Sequence, residues 1–381
     1  VHNLRLLMNE IFGEENFIAQ FVWKSRVSED TRAVTGVSTD HEYILCFSGL
    51  HGSTLRGTEK DIEKFSNPDD DIRGPWRSAD LTGLATKDKR PNLHYNLINP
   101  VTGIDYGCPP KGWRYENSTM WKKIAENRVL FPASSDGRPR HKLFLNEMSS
   151  LYKNMTTVIT ESSTSEGTRE TNEILGDGAF SFPKPVALIS KLIAQCTQDD
   201  DIVLDFFAGS GTTGQAIMSM NSQDNANRQF ILIQLPQPTD ENTFKSIANI
   251  TRERVKRTGK KLTNDSGFRA FKLAASNFKV WSSDPAKVSD LGKSLQLFAD
   301  HVTANRKAED ILYELLLKAG YPLTAAIEKL TLAGKEVFSI SDGALLICLD
   351  RRLTLEVIDA MVARTPAMIL CLDDGFRGND Q

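Results

Sequence analysis

The chain has no cysteine framework. Its five cysteines, Cys46, Cys108, Cys196, Cys348 and Cys371, are odd in number and scattered, with no Cys-x-x-Cys pair. That argues against a disulfide scaffold or a zinc ribbon and fits a reducing cytoplasm. Histidine is equally sparse: His2, His41, His51, His94, His141 and His301 show no metal-ligand spacing, so no metal is expected. Long apolar runs are missing. Residues 344–349 and 367–372 are far too short to span a bilayer, and no basic-then-apolar leader opens the chain. A soluble, cytoplasmic protein with no membrane partner is the expectation. Excess charge is lacking too. A net charge of −3 neither announces nor excludes nucleic acid, so any basic surface must be local. There is no internal repeat.

What is present has room for more than one core. At 381 residues and 40% hydrophobic, at least two domains are expected. Leu4, Leu7, Met8, Ile11 and Phe12 recur at helical spacing and stop at Gly13, predicting a helix over 2–12. Residues 17–23 and 43–47 read as strands. From 48 to about 178 the patterning fades into turn formers and polar clusters, among them Asn67-Pro68-Asp69, Pro109-Pro110-Lys111-Gly112 and 162–168. This predicts an irregular inserted domain. Alternation then returns: helix 185–197, strand 202–206, helix 212–221, strand 229–235, helix 242–257. Such a run predicts a parallel sheet with helices on both faces. Past Asp265 the character changes again. Residues 268–273 read as a strand, 277–281 as a connector, 287–302 and 307–319 as helices. Strand 336–340, a turn at Ser341-Asp342-Gly343, strand 344–349, helix 353–363 and strand 367–372 follow. Ile311, Leu312, Leu315 and Leu316 form a stripe that reads as core or as a contact surface.

Residues 201–213 carry the most chemical information. A short apolar run ends at Asp205, bends through Phe206, Phe207, Ala208, Gly209, Ser210 and Gly211, and opens a helix at about Thr212. Such a turn holds a small anionic group against free backbone N–H groups and the positive end of the helix dipole. Gly209-Ser-Gly211-Thr-Thr-Gly214 also matches the dinucleotide pattern, but that site wants an acid at the end of the next strand, where Gln234 stands. A purely structural strand–turn–helix would need the glycines only for turning and packing.

Asp205-Phe-Phe-Ala-Gly-Ser-Gly-Thr-Thr resembles the cofactor motif of S-adenosylmethionine-dependent DNA amino-methyltransferases. Phe182-Pro-Lys-Pro185 precedes it; Met218-x-Met220-Asn221 and Arg228-Gln-Phe-Ile-Leu-Ile-Gln-Leu-Pro236 follow. Ser38-Thr-Asp-His-Glu-Tyr-Ile-Leu45, Phe268-Arg-x-Phe-Lys-Leu273 and Ser276-Asn-Phe-Lys-x-Trp281 complete the set. In this order the motifs are similar to those of the modification (Mod) subunits of type III restriction–modification systems, permuted adenine-N6 DNA methyltransferases. The resemblance implies an α/β, doubly wound S-adenosylmethionine-dependent methyltransferase fold, with an inserted DNA-recognition domain and a C-terminal α/β domain. Residues 1–48 and 179–264 would form the core, 49–178 the target-recognition region and 265–381 the C-terminal domain. It further implies methyl transfer from S-adenosyl-L-methionine to adenine N6 in double-stranded DNA, a second Mod subunit as homodimer partner, and a restriction (Res) helicase-nuclease subunit.

On the same resemblance Lys184 and Pro185 line the methionine end of the pocket, though Lys184 also reads as a solvated lysine at a helix start. Phe207 packs against the cofactor, and Ser210 and Gly211 let it approach the backbone. Thr212 and Thr213 add hydroxyl donors, and Gln234 reaches the ribose. Asp205, Phe206, Ala208 and Gly209 complete the cofactor-binding set. The family's catalytic Asp-Pro-Pro-Tyr is absent: Cys108-Pro109-Pro110-Lys111 has no acid before its prolines. In the permuted order that motif comes first. The chain is therefore expected to begin inside a longer gene product, to contain no catalytic residue, and to be unable to methylate DNA alone. His41-Glu42-Tyr43 would lie beside the missing half or at a sheet edge. Alternatives are an N4-cytosine DNA methyltransferase and a non-catalytic DNA-binding specificity module.

Between Arg73 and Lys142 basic residues outnumber acidic ones about two to one and alternate with Trp76, Tyr95, Trp113, Tyr115 and Trp121. Such a surface suits phosphates and displaced bases, although solvated lysines over a small tryptophan core would look the same. The DNA-binding candidates are Lys111, Trp113, Arg114, Lys122, Lys123, Arg138, Arg140 and Lys142.

Overall fold

The computed structural model describes residues 1–239, 243–262, 267–279 and 302–376. They fall into two compact units, Val1–Ser266 and Gly267–Gln381. No described helix is long and apolar enough to cross a membrane. The predicted helix over 287–302 lies outside the described residues.

The first unit opens with α1 (His2–Phe12), β1 (Phe17–Lys24) and β2 (His41–Phe47), close to their sequence bounds. β1 pairs antiparallel with β2, and its inward residues Phe21 and Trp23 are buried. A small antiparallel sheet follows: β3 (Thr58–Glu59), β4 (Trp76–Asp80), α2 (Asn117–Ala125), β5 (Val129–Leu130), β6 (Arg140–Phe144) and β7 (Tyr152–Lys153), in which β4, β6 and β5 are neighbours and β3 pairs with β7. The region is less irregular than the sequence suggested. Leu81, Leu97, Trp113, Met120 and Val129 give it a core of its own.

The next segment departs from expectation. Residues 162–168, read as a polar turn, start α3 (Thr164–Leu175), with Ser163 and Glu166 forming a reciprocal capping box. The strand β8 (Val158–Ile159) before it pairs in parallel with β1. Then come α4 (Val186–Cys196), β9 (Ile202–Asp205), α5 (Thr212–Asp224), β10 (Gln229–Leu232) and α6 (Ile247–Lys261). β9 and β10 pair in parallel around α5. Val203 and Phe230 pack against Ile193, Ala216 and Ile217 of α4 and α5. Helices are expected on both faces; among the described residues α4 and α5 pack on one. Ile202, Leu204, Ile231 and Ile233 on the other face are each at least half exposed.

The second unit places α7 (Ala308–Lys318) against a four-stranded sheet: β11 (Ile327–Leu332), β12 (Lys335–Ile340), β13 (Leu345–Cys348) and, after α8 (Leu355–Val362), β14 (Met368–Cys371). Side chains alternate across the pleat. Phe338, Ile340, Leu345 and Ile347 meet Leu312 and Leu316 of α7, whereas Val337, Leu346 and Cys348 meet Val357 and Met361 of α8. Of the two readings of the stripe, core is the one seen: Ile311, Leu312 and Leu316 are buried and Leu315 packs beside them. Residues 268–273 are not a strand. Side chains anchor them instead: Arg269 donates to the Ala325 carbonyl at 3.1 Å, and Phe271 meets Tyr313 edge-on.

One polar cluster stiffens the small antiparallel sheet. Lys142, almost wholly buried, holds Asp69 and Asp71, and Arg73 grips Asp71 at 2.6 Å. The Arg73 hydrogen bond, reinforced by Lys142, keeps the Asp71 carboxyl far below the usual carboxylate range. A carboxylate whose folded pKa is depressed stabilises the fold above its unfolded pKa, and that contribution fades as pH falls toward the folded value. Asp71→Asn is expected to lower the melting temperature at pH 7. The gap from wild type should stay flat down to about pH 5 and narrow below it. Thermal melts across pH 3–7 check this; a constant gap would contradict it.

Candidate functional site

The end of β9, the bend after it and the start of α5 make one tightly tied structure. Asp205 accepts from the Phe207 N–H at 3.1 Å with one carboxylate oxygen and from the Thr213 hydroxyl at 2.6 Å with the other. Gly209 and Gly211 take φ of +51° and +84°, a region that side chains with a Cβ resist. Gly211 is needed twice over, since a Cβ there would lie 3.0 Å from the Thr251 carbonyl oxygen. Gly214 is needed for packing alone: its Cβ would meet Val255 at 2.8 Å and Leu232 at 3.0 Å. The third glycine of the dinucleotide-like pattern is thus the contact that lets α5 lie between β10 and α6.

Helix α6 grips the bend from beneath. The Thr251 hydroxyl donates to the Gly209 carbonyl at 2.6 Å. Arg254 is fully buried; its Nη1 donates to Ser210 Oγ at 2.7 Å and Thr212 Oγ1 at 3.0 Å, and its Nε donates to Gln215 Oε1 at 2.7 Å. Burial pushes its pKa down to about 10, partly offset by Glu170, so it remains a cation at neutral pH. No side chain caps α5, which leaves the first-turn N–H groups of Thr212 and Thr213 without partners inside the helix.

The structure brings the sequence-derived set together and shows which of its polar groups have partners within the fold. The hydroxyls expected to face a ligand are used within the fold: Thr213 donates to Asp205 and Thr212 donates to the Lys184 carbonyl at 3.1 Å, both residues being buried. Backbone N–H groups remain as the donors. Gln234 is tied to the bend: its Oε1 accepts from the Gly209 N–H at 2.7 Å and its amide donates to the Leu235 carbonyl at 3.2 Å. Lys184 is neither free nor merely solvated. Its ammonium meets both oxygens of Glu42 at 2.9 and 2.7 Å and lies 5.3 Å from the Trp23 ring centre. Pro185 caps α4, while Phe206 and Phe207 stand exposed with rings 5.1 Å apart. Ala208 and Ser210 are buried.

Three residues of this assembly were not singled out in the sequence as site residues: Glu42, Thr251 and Arg254. The signal for the last two was there. Ile250, Thr251, Arg254, Val255 and Thr258 share the buried stripe of α6, and polar groups on an inward stripe need a reason.

In the basic region, Arg114, Lys123 and Arg140 gather near His141. Burial first, then these cations, hold its imidazole below the usual range. Lys123 sits 4.6 Å over the Tyr115 ring, and Arg140 donates to Ser78 Oγ at 2.6 Å. Lys111, Lys122 and Arg138 are exposed. Two candidates lie inside the fold: Trp113 is buried, its indole N–H donating to the Tyr95 carbonyl at 2.9 Å, and the buried Lys142 pairs with Asp69 and Asp71.

The two glycines of the bend should respond differently to a methyl group. Gly209→Ala meets nothing closer than Phe180 at 3.5 Å and carries only the left-handed backbone cost, whereas Gly211→Ala adds crowding against Thr251. Urea denaturation should show roughly 1–2 kcal/mol lost for Gly209→Ala and more for Gly211→Ala. The reverse order would contradict this geometry.

The comparisons with known proteins agree on one family. Its sequence pattern, described as DNA methylase, matches residues 1–237. The StyLTI Mod subunit of a type III restriction–modification enzyme from Salmonella typhimurium is 31% identical over 71% of this chain and 43% of its own length. The EcoPI Mod subunit from Escherichia phage P1 is 30% identical over 87% of this chain and 56% of its own. The EcoP15I Mod subunit from Escherichia coli is 24% identical over 95% and 61%. The chain thus spans about half the length of the curated relatives it matches. With the bend after Asp205 falling inside the matched residues, the chain belongs to the DNA methylase family.

Proposed function

We propose that this chain is part of a Mod-type DNA methyltransferase and holds S-adenosyl-L-methionine at the bend after Asp205. The observation that carries the reading is the uncapped start of α5, reached through Gly209 and Gly211 and backed by the buried cation Arg254. The carboxylate of the cofactor's amino-acid end suits that spot, because first-turn N–H groups and the helix dipole both favour negative charge. Asp205, Gln234 and Thr251 hold the bend; Lys184 and Pro185 border it. When bound, the group supplies an electrophilic sulfonium methyl. The doubly wound core, the division at about 49, 178 and 264, and the recognition role of 49–178 belong to the same proposal.

The substrate proposed is adenine within a double-stranded DNA site. The cofactor would supply a methyl group to the exocyclic N6, which would give up a proton as the methyl–sulfur bond broke to a neutral thioether. Adenine is preferred to cytosine because the relatives covering most of this chain are type III Mod subunits. A second Mod subunit and a Res subunit are the partners proposed on the same similarity. Arg114, Lys123 and Arg140 around His141, with exposed Lys111, Lys122 and Arg138, form the proposed phosphate-facing surface. The chain contains no Asp-Pro-Pro-Tyr and no residue assigned to hold N6. We therefore propose that this polypeptide binds the cofactor but does not transfer the methyl group.

Calorimetric titration tests the cofactor reading. S-Adenosylhomocysteine is expected to bind the chain and NADH is not; the opposite pattern would overturn it. Methyl transfer from labelled donor to DNA by this chain would refute the claim of inactivity. For the basic surface, Arg114→Ala and Lys122→Ala should each weaken DNA binding and reduce the salt slope by about one charge. An unchanged slope in both would remove them from the interface.

A further inference from the structure

Helix α6 places an unbalanced charge under the bend. Arg254 is 0% exposed, and among the described residues no carboxylate forms an ion pair with it. Its Nη1 and Nε serve Ser210, Thr212 and Gln215, while its Nη2 is buried with no partner among the described residues. The acid whose field reaches it, Glu170, already accepts the Val186 N–H at 2.9 Å. Burying a guanidinium without a counter-ion is costly, and a neutral side chain would bond the same hydroxyls at lower cost. The cation is therefore poorly explained by stability. It lies against the start of α5, where its field adds to the helix dipole.

We propose that Arg254 is a positioning residue for the anionic end of the cofactor, acting through Ser210 and Thr212 rather than by touching the ligand. It holds those two residues in the shape that leaves the first-turn N–H groups free. Its charge makes the pocket prefer a ligand bearing a carboxylate, and a bound carboxylate adds to the partial compensation that Glu170 supplies. The inference rests on the reading of the bend as an S-adenosylmethionine site.

Two ligands separate charge from shape. S-Adenosylhomocysteine carries the amino-acid end, and 5′-methylthioadenosine has the nucleoside and thioether without it. Titration of both into the wild-type chain, Arg254→Gln and Arg254→Lys gives the ratio of affinities. Arg254→Gln should weaken S-adenosylhomocysteine on the order of tenfold and methylthioadenosine by less than about twofold. Arg254→Lys, which keeps the charge and loses the fork, should keep most of the wild-type ratio. Parallel weakening of both ligands, or no change in either, would overturn the role while leaving the cofactor site intact. A wild-type chain that binds neither ligand overturns the site reading and this inference with it. Should Arg254→Gln fail to fold, the Arg254→Lys ratio decides: retained, it supports the charge; collapsed, it rejects it.

Discussion

A bend of small residues offers its backbone to a ligand only if something else holds its shape, and here the holding groups come from four separate segments. Asp205 and Thr213 close the bend on itself. Gln234 at the end of the next strand takes the Gly209 N–H, Thr251 takes the Gly209 carbonyl, and Arg254 ties Ser210 to Thr212. Thr212 passes the constraint to the Lys184 carbonyl. Each of these bonds uses a polar side chain that a simpler reading would aim at the cofactor. The result is a site whose side chains organise the loop and whose backbone makes the offer. That division suits an anion, because N–H groups at a helix start need no reorganisation to receive one.

Much of this was legible in residue order because the relevant signals are local. The acid before the bend, the glycines inside it and the helix opening at Thr212 sit within a few positions of each other, and strand β9 and helix α5 fell where the pattern put them. The partners were not legible, because Gln234, Thr251 and Arg254 reach the bend only through tertiary packing. Glu42 is farther still in sequence, yet it holds Lys184. Residues 162–168 show a different kind of miss. Their serines and threonines read as a turn, but Ser163 followed three residues later by Glu166 is a helix start, and the capping box outweighed composition. Residues 268–273 alternate well enough for a strand, yet side-chain anchors to Ala325 and Tyr313 hold them without a ladder.

The basic region illustrates how composition overstates a surface. Thirteen lysines and arginines between Arg73 and Lys142 looked like one electropositive face. Folding sorts them: Lys142 and Arg73 neutralise Asp69 and Asp71, Arg128 bonds Glu126 and Glu147, and Trp113 fills the core. What remains outside the ion pairs described is smaller and better defined, with Arg114, Lys123 and Arg140 near the buried His141, whose pKa burial and these cations hold down. Charge that the fold leaves uncompensated is more informative about a polyanionic partner than charge counted along the chain.

The most direct test of the account is a crystal structure of the chain with S-adenosylhomocysteine. The account predicts the ligand carboxylate within hydrogen-bonding distance of the backbone N–H groups between Ser210 and Thr213, with Asp205 still bonded to Thr213 and Arg254 still bonded to Ser210. A carboxylate bound elsewhere, or a bend rearranged so that the Thr212 and Thr213 hydroxyls make the contact, would contradict it.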